Sequence, residues 1–388
     1  MSTGNAYRYL FPIGCLNGML GAALWIALQQ GWIEYYPAPR HANLMIGGFL
    51  FSYALGFLWT AVPRFLRAPE PGRGELTLLV TTMALTPVLG MLSDTTFFYA
   101  AMLIGLLRTA QFGRRRFCLR RNEPPPSFVF LMAGVLLAIA SLFVLMLSTH
   151  VKFPPLLEAC ARTFFLKGFL LCLVLGVGMK LVPVLLGWQP VPASSEAPFR
   201  IDPLSAPILL ALLLGVGLEA AGEVRWAGLA YSASLATAAF ARMRLSRLPR
   251  TRSALAIGVW TSGLAVVISP LSLAYDPGFA VHFWHLLFIS GLGLLTLFVS
   301  VRVVLAHSGQ EFLRWERSPA LYLMGGLVLL ASLTRVSAPM LAPQHIFTHY
   351  AYAAALWIGA LAIWAWYFVR FTPTFAYGRR KGGIASAA

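Results

Sequence analysis

Residues 127–148 read SFVFLMAGVLLAIASLFVLMLS, an uncharged run bounded by Arg120 and Arg121 on one side and Lys152 on the other. A helix needs about 20 mainly apolar residues to cross a hydrocarbon core about 30 Å thick, and this run has that length. Strands of a membrane barrel are shorter and alternate lipid-facing with lumen-facing residues. The run LLLGVGL at 212–218 shows no such alternation, and a helix satisfies its backbone polar groups within the segment.

Comparable apolar stretches extend in both directions from this one. They lie near 8–28, 42–63, 76–93, 95–112, 156–187, 204–221, 226–242, 253–274, 279–304, 319–338 and 346–370. The expectation is an all-α integral membrane protein, about twelve transmembrane helices in one bundle, forming a single polytopic domain over 1–388. Composition agrees: 59% of the 388 residues are hydrophobic and 11% charged, against roughly a quarter charged in soluble domains. No small-residue cleavage site follows the first apolar run, so the amino terminus is expected to be retained. No internal repeat is legible, which removes the inverted-repeat signature of many transporters.

Arginines assign the sides. Arg114, Arg115, Arg116, Arg120 and Arg121 follow the fourth stretch, and Arg242, Arg244, Arg247, Arg250 and Arg252 follow the eighth. Arg64, Arg67 and Arg73 follow the second, Arg314 and Arg317 the tenth, and Arg379, Arg380 and Lys381 the last. Short cytoplasmic loops retain positive charge, so these alternate connections belong inside. A multi-pass protein of the bacterial inner membrane is expected, with both termini cytoplasmic. The net charge of +17 is therefore spread among inner loops, where it meets anionic lipid. The bilayer is the expected partner, and nucleic acid is not. Cys15, Cys118, Cys160 and Cys172 form neither a CxxC nor a CxxCH pattern, and read as packing residues.

On this topology the histidines cluster at the outer ends. His41 opens the second stretch, His150 follows the fifth, His282 and His285 open the tenth, and His345 and His349 open the twelfth; His307 alone is inside. Residues three apart share a helix face, so His282 and His285 address one neighbouring element. Neutral imidazole is a common metal ligand, and an apolar aromatic setting such as HFWHLLF suits a haem plane with a histidine on each face. The competing explanation is that these rings bond to backbone carbonyls or line a wet crevice. His41 with His282 or His285 is the candidate axial pair, with His345 and His349 as replacement ligands or neighbours.

Charged groups inside the spans are costly and usually face the bundle interior. Arg302 lies deep in the tenth stretch; Arg162, Lys167 and Lys180 lie in the sixth, with Glu158 one turn before Arg162. Arg162 and Arg302 are candidates to receive haem propionates or another anion. Snorkelling, or an i,i+4 pair of Glu158 with Arg162, would explain them without a ligand. Gly47, Gly48, Gly56, Gly176, Gly178, Gly291 and Gly293 read as sites of close helix packing.

The segment PRHANLMIGGFLFSYALGFLWTAVPRF at 39–65 resembles the opening signature of the NnrS family, in which a HAHEM-like motif leads through a Gly-Phe pair into GFLLTAVPNW. His41, Ala42 and Met45 match, as do Gly48, Phe49, Gly56, Phe57, Leu58, Thr60, Ala61, Val62 and Pro63. The tenth stretch is similar to the family's later pattern through His282, His285, Gly291, Gly293, Arg302, His307 and Gly309. GVGMKLVPVL resembles the family's GGRVIPFF through Gly178, Lys180 and Pro183. Asn43 and Leu44 stand where the family has a second His and a Glu, and Lys180 stands in place of its Arg.

The resemblance implies a polytopic membrane protein associated with haem and copper and with the response to nitric oxide. Losing one His and one Glu argues against a copper site. A wider similarity is to haem-copper oxidases, which place low-spin haem ligands on the second and tenth of twelve helices. Their copper-binding histidines on helices six and seven have no counterpart here, which argues against oxygen reduction. The leading expectation is one b-type haem near the outer side, serving nitric oxide metabolism or tolerance by electron transfer to a respiratory partner or by binding nitric oxide. The sequence leaves open whether the chain is an enzyme. Rival readings are a transporter or metal-handling permease whose polar path is lined by Arg162, Lys167, Arg302 and the histidines, and an assembly subunit packed on a respiratory complex.

Overall fold

A computed structural model describes residues 5–188, 201–310 and 315–372. Among these residues the regular structure is entirely helical. In chain order the main helices are α1 (Tyr7–Gln29), α2 (Ala38–Phe65), α3 (Arg73–Ala84), α4 (Thr96–Cys118), α5 (Phe128–Leu147) and α6 (Pro155–Leu185). They continue with α7 (Ser205–Ala220), α8 (Val224–Thr237, prolonged to Arg242), α9 (Ala254–Tyr275), α10 (Pro277–Ser308), α11 (Pro319–Leu341) and α12 (Pro343–Phe371).

Each apolar stretch expected from the sequence has a helix, yet the expected count of twelve spans is matched only in part. Eight helices among the described residues are long and apolar enough to cross a membrane: α1, α2, α5, α6, α9, α10, α11 and α12. The other four differ for physical reasons. Helix α3 breaks at Leu85 before a short turn over Thr86–Leu89, α7 and α8 are short, and the last turns of α4 carry Arg114, Arg115 and Arg116.

The basic connections around residues 64–73, 114–121 and 242–252 gather on one face of the bundle, whereas Arg314, Arg379, Arg380 and Lys381 lie outside the described residues. The backbone N–H of Arg121 donates to the Leu66 carbonyl at 2.9 Å, and that of Arg250 donates to Leu186 at 3.0 Å. Arg116 reaches across to Glu75 at 2.6 Å, and the Tyr322 hydroxyl donates to the Arg252 carbonyl at 3.2 Å. The ends of α2, α4, α6 and α8 therefore share this face with the starts of α3, α9 and α11, as alternating short loops require.

The arrangement has an order that the sequence did not reveal. Helices α1–α4, α5–α8 and α9–α12 form three four-helix groups. In each group the first helix packs on the second and the third on the fourth. The groups close into a ring through contacts of α4 with α5, α8 with α9 and α12 with α1. The second helix of each group, α2, α6 or α10, faces inward, and each is interrupted by a π-helical segment: Asn43–Leu50, Phe164–Gly168 and Leu286–Gly293. Widened turns of this kind are frequent at functional sites, although α8 also ends in one, Ala238–Arg242.

Close packing explains the glycines, as the sequence suggested. A Cβ at Gly47 would lie 2.3 Å from the Phe98 ring, and one at Gly48 would lie 2.3 Å from Asn17 Oδ1. Some buried polar groups are paired between helices. Asn17 Nδ2 donates to the Ile13 carbonyl and the Thr86 hydroxyl, and Trp59 Nε1 donates to Thr109.

Candidate functional site

The inner helices leave a cavity of about 300 Å³ in the half of the bundle opposite the basic face, lined from α1, α2, α6, α10, α11 and α12. Its walls are mostly apolar and aromatic, with Trp25, Phe49, Trp284, Phe288 and Trp357 among them. The polar side chains that reach it include His41, Lys167, His285 and Arg335.

His41 is held in the first turn of α2, just before the π segment. Its Nδ1 lies 2.9 Å from the Gly21 carbonyl of α1, and Trp25 meets the ring edge-on at 5.7 Å. His285 precedes the π segment of α10, with Nδ1 2.6 Å from the Val281 carbonyl one turn back. A carbonyl can only accept, so Nδ1 of each ring carries the proton and the Nε2 lone pair is left free. No partner among the described residues meets either Nε2. The two rings have centroids 6.4 Å apart and planes within 15°.

That separation is too long for face-to-face contact. Metal–imidazole bonds of about 2.0 Å on opposite sides of one ion would put the ring centroids about 6.3 Å apart. Backbone carbonyls that fix the other ring nitrogen are the usual support of a ligating histidine. No group of three or more His, Cys, Asp or Glu side chains placed to hold a metal ion occurs among the described residues.

His282 is engaged elsewhere. Arg335 Nη1 donates to its Nδ1 at 2.6 Å, so of the two histidines three residues apart only His285 lines the cavity. His345 and His349 lie at the start of α12 outside the cavity lining, and His349 packs on Tyr352. Arg162 is exposed and paired with Glu158 at 3.0 Å, the i,i+4 arrangement that competed with a ligand role. Arg302 lies in the half of α10 towards the basic face, away from the cavity. His307 is also at that end, against Tyr7 with ring centroids 5.2 Å apart.

Two features escaped the sequence reading. Arg335, only 6% exposed, comes from α11 and holds its guanidinium 3.8 Å from the centroid of the Tyr350 ring. No carboxylate among the described residues pairs with it, so the cavity contains a buried cation available to an anion. Lys167, from the π segment of α6, forms an ion pair with Glu219 of α7. Glu219 also accepts from Trp284 Nε1 at 2.9 Å and from the Tyr231 hydroxyl at 3.0 Å, while Lys167 Nζ lies 4.1 Å from the centroid of the Trp284 ring. This network anchors the residue directly before His285. The visible signals were a lone Arg near the outer end of an apolar stretch and a Glu closing another; their partners are far away in sequence.

Fold and site together define a helical membrane protein that presents two inward-facing histidines in an apolar cavity. The family model described as NnrS protein matches residues 3–373. The chain belongs to the NnrS family. No curated protein is significantly similar to it.

Proposed function

We propose that the chain is a membrane haem protein acting in nitric oxide metabolism or tolerance, with His41 and His285 as the axial ligands of one b-type haem. Family membership fits a nitric oxide-related role. The observation that carries the haem reading is the pair of free Nε2 atoms on rings 6.4 Å apart in an aromatic cavity. Gly21 and Val281 hold the imidazoles in the ligating tautomer. Arg335 offers a forked donor to a propionate carboxylate, and His282 steadies that guanidinium. Trp25, Phe49, Phe288 and Trp357 line the cavity around the pair and give water few partners there. When bound, haem supplies a one-electron couple. If His41 and His285 both held the haem iron, electron transfer to or from a respiratory partner would be the activity the site suits best. A copper ion at the pair would lack a third His, Cys or carboxylate among the described residues.

In this reading all twelve helices cross the bacterial inner membrane. The Arg-rich face is cytoplasmic, both termini lie with it, and the histidine cavity opens towards the outer side. A transporter path is less well supported, because the cavity in the other half of the bundle is lined chiefly by apolar side chains. The deciding experiment is an optical spectrum of the purified protein with its His41→Ala, His285→Ala, His282→Ala and His307→Ala variants. A Soret band with reducible α/β bands is expected, lost in the first two variants and kept in His307→Ala, since His307 is roughly 33 Å along α10 from His285. In His282→Ala the haem is expected to stay bound less tightly. A wild-type protein without a haem spectrum refutes the proposal.

A further inference from the structure

A second cavity, of about 120 Å³, lies between α2, α6 and α10 in the half of the bundle towards the basic face. Its walls include Leu50 and Ala54 from α2, Leu173 and Val177 from α6, and Leu292 and Leu295 from α10. It lies directly beneath the histidine cavity. Leu50 lines both, and on α10 Ile289 faces the upper cavity while Leu292 faces the lower.

The size and chemistry of this space select its occupant. Water needs two to four polar partners to stay in a cavity, and apolar cavities of about 150 Å³ remain dry and take up xenon or benzene. Three side-chain hydroxyls line the wall. That of Ser300 is already used, donating to the Leu297 carbonyl at 2.7 Å and accepting from Trp364 Nε1 at 2.8 Å. That of Tyr53 is buried without a partner among the described residues, so with Thr296 it offers a water two side-chain partners, the fewest it needs. The space is also well below the roughly 300 Å³ at which pockets for drug-sized ligands begin, which disfavours a quinone or a lipid chain. What remains is a small uncharged molecule with little need of hydrogen bonds.

We infer that this inner cavity is a holding site for a small apolar gas, which reaches the paired histidines past Leu50. Leu50 is the natural door, because it is the side chain the two cavities share. The destination rests on the haem reading above, whereas occupancy of the cavity does not.

Xenon tests occupancy without reference to haem. In crystals of the full chain pressurised with xenon, an anomalous peak is expected between Leu50, Leu173 and Leu295. Val177→Phe and, from the opposite wall, Ala54→Phe each fill the space and should abolish it. Absence of the peak from the wild type, or ordered water or a lipid chain in its place, overturns the inference. The route is tested by flash photolysis of carbon monoxide from the reduced pigment, read in the first phase of rebinding, before the displaced histidine returns to the iron. Rebinding should slow several-fold in the folded Val177→Phe and Ala54→Phe proteins and stay unchanged in Leu329→Phe, on an exposed face of α11. Unchanged rebinding in the filled variants overturns the route. A normal haem spectrum without xenon binding defeats this inference alone, and a xenon peak in a protein without haem defeats only the proposed function.

Discussion

Replacing Glu219 by Leu should unsettle the cavity from its far side. The carboxylate is the ion-pair partner of Lys167, whose side chain is 11% exposed, and it is the acceptor for Trp284 and Tyr231. Removing one member of a buried pair costs about 3–5 kcal/mol, because the other charge stays behind without compensation. Each donor stranded with it adds about 1–3 kcal/mol before neighbours relax. These contributions overlap within one network, so the expected loss is on the order of 4 kcal/mol. Replacing both partners by apolar residues of similar size is often close to neutral. Lys167→Met combined with Glu219→Leu removes the stranded charge but still leaves Trp284 and Tyr231 without their acceptor, so it should recover about half of the loss, a coupling of at least ~2 kcal/mol in the double-mutant cycle. The assay is reversible unfolding in detergent for the wild type, the two single variants and the double variant. Since Trp284 precedes His285, Glu219→Leu should also lose pigment, whereas Arg162→Ala, which breaks an exposed pair worth little, should keep it. A double variant as destabilised as the sum of the singles would refute the network.

Three further outcomes follow from the site and the topology. If two histidines fill the iron's axial positions, reduced protein mixed rapidly with nitric oxide should react slowly, in a phase limited by departure of a histidine; immediate stoichiometric binding with both histidines retained would show an open site. Glu75 accepts from Arg116 at 2.9 and 2.6 Å, from Arg115 at 3.1 Å and from the Gly72 backbone at 3.0 Å. These hydrogen bonds, Arg116 first, outweigh partial burial and push its pKa down to about 2, below about 4.3 for an unfolded Glu. Its contribution to stability is complete above the unfolded value and disappears as pH falls towards the folded one, so Glu75→Gln should flatten the acid limb of stability between about pH 4 and 2. Equal acid sensitivity in the variant would remove that assignment. Reporter fusions at Arg73 and Arg121 should give cytoplasmic signals and those at Asp94 and Tyr275 external ones; an external signal at Arg121 would reverse the sides.

The helices were legible in the sequence because in hydrocarbon a single segment must satisfy its own backbone, so a run such as 127–148 states its structure locally. The common face of the basic loops was legible for a similar reason, as Arg64, Arg114 and Arg247 mark alternate connections without reference to any partner. His41 could be paired with His282 or His285 from their places near the same ends of two helices, since a histidine in an apolar aromatic run is rare enough to be noticed. What the sequence could not supply was contact between distant segments. Arg335 and His282 are 53 residues apart, Lys167 and Glu219 are 52 apart, and Glu219 and Trp284 are 65 apart. Nothing local marks any of them as a pair.

The same limit hid the three four-helix groups. Their likeness lies in packing order and in the widened turns of α2, α6 and α10, whereas the residues in those turns, NLMIGGFL, FFLKG and LLFISGLG, share little. It also decided between His282 and His285. Spacing put both on one side of α10, but only the approach of α11 gives His282 a guanidinium to hold and leaves His285 with a free nitrogen in the cavity. The sequence by itself determined the helices, the face that gathers the arginines and the end where histidines collect, because these follow from the hydropathy and charge of single segments. The tertiary structure alone decided which histidines meet, which cation stands beside them and where the bundle stays open, because those are properties of side chains brought together from helices far apart in the chain.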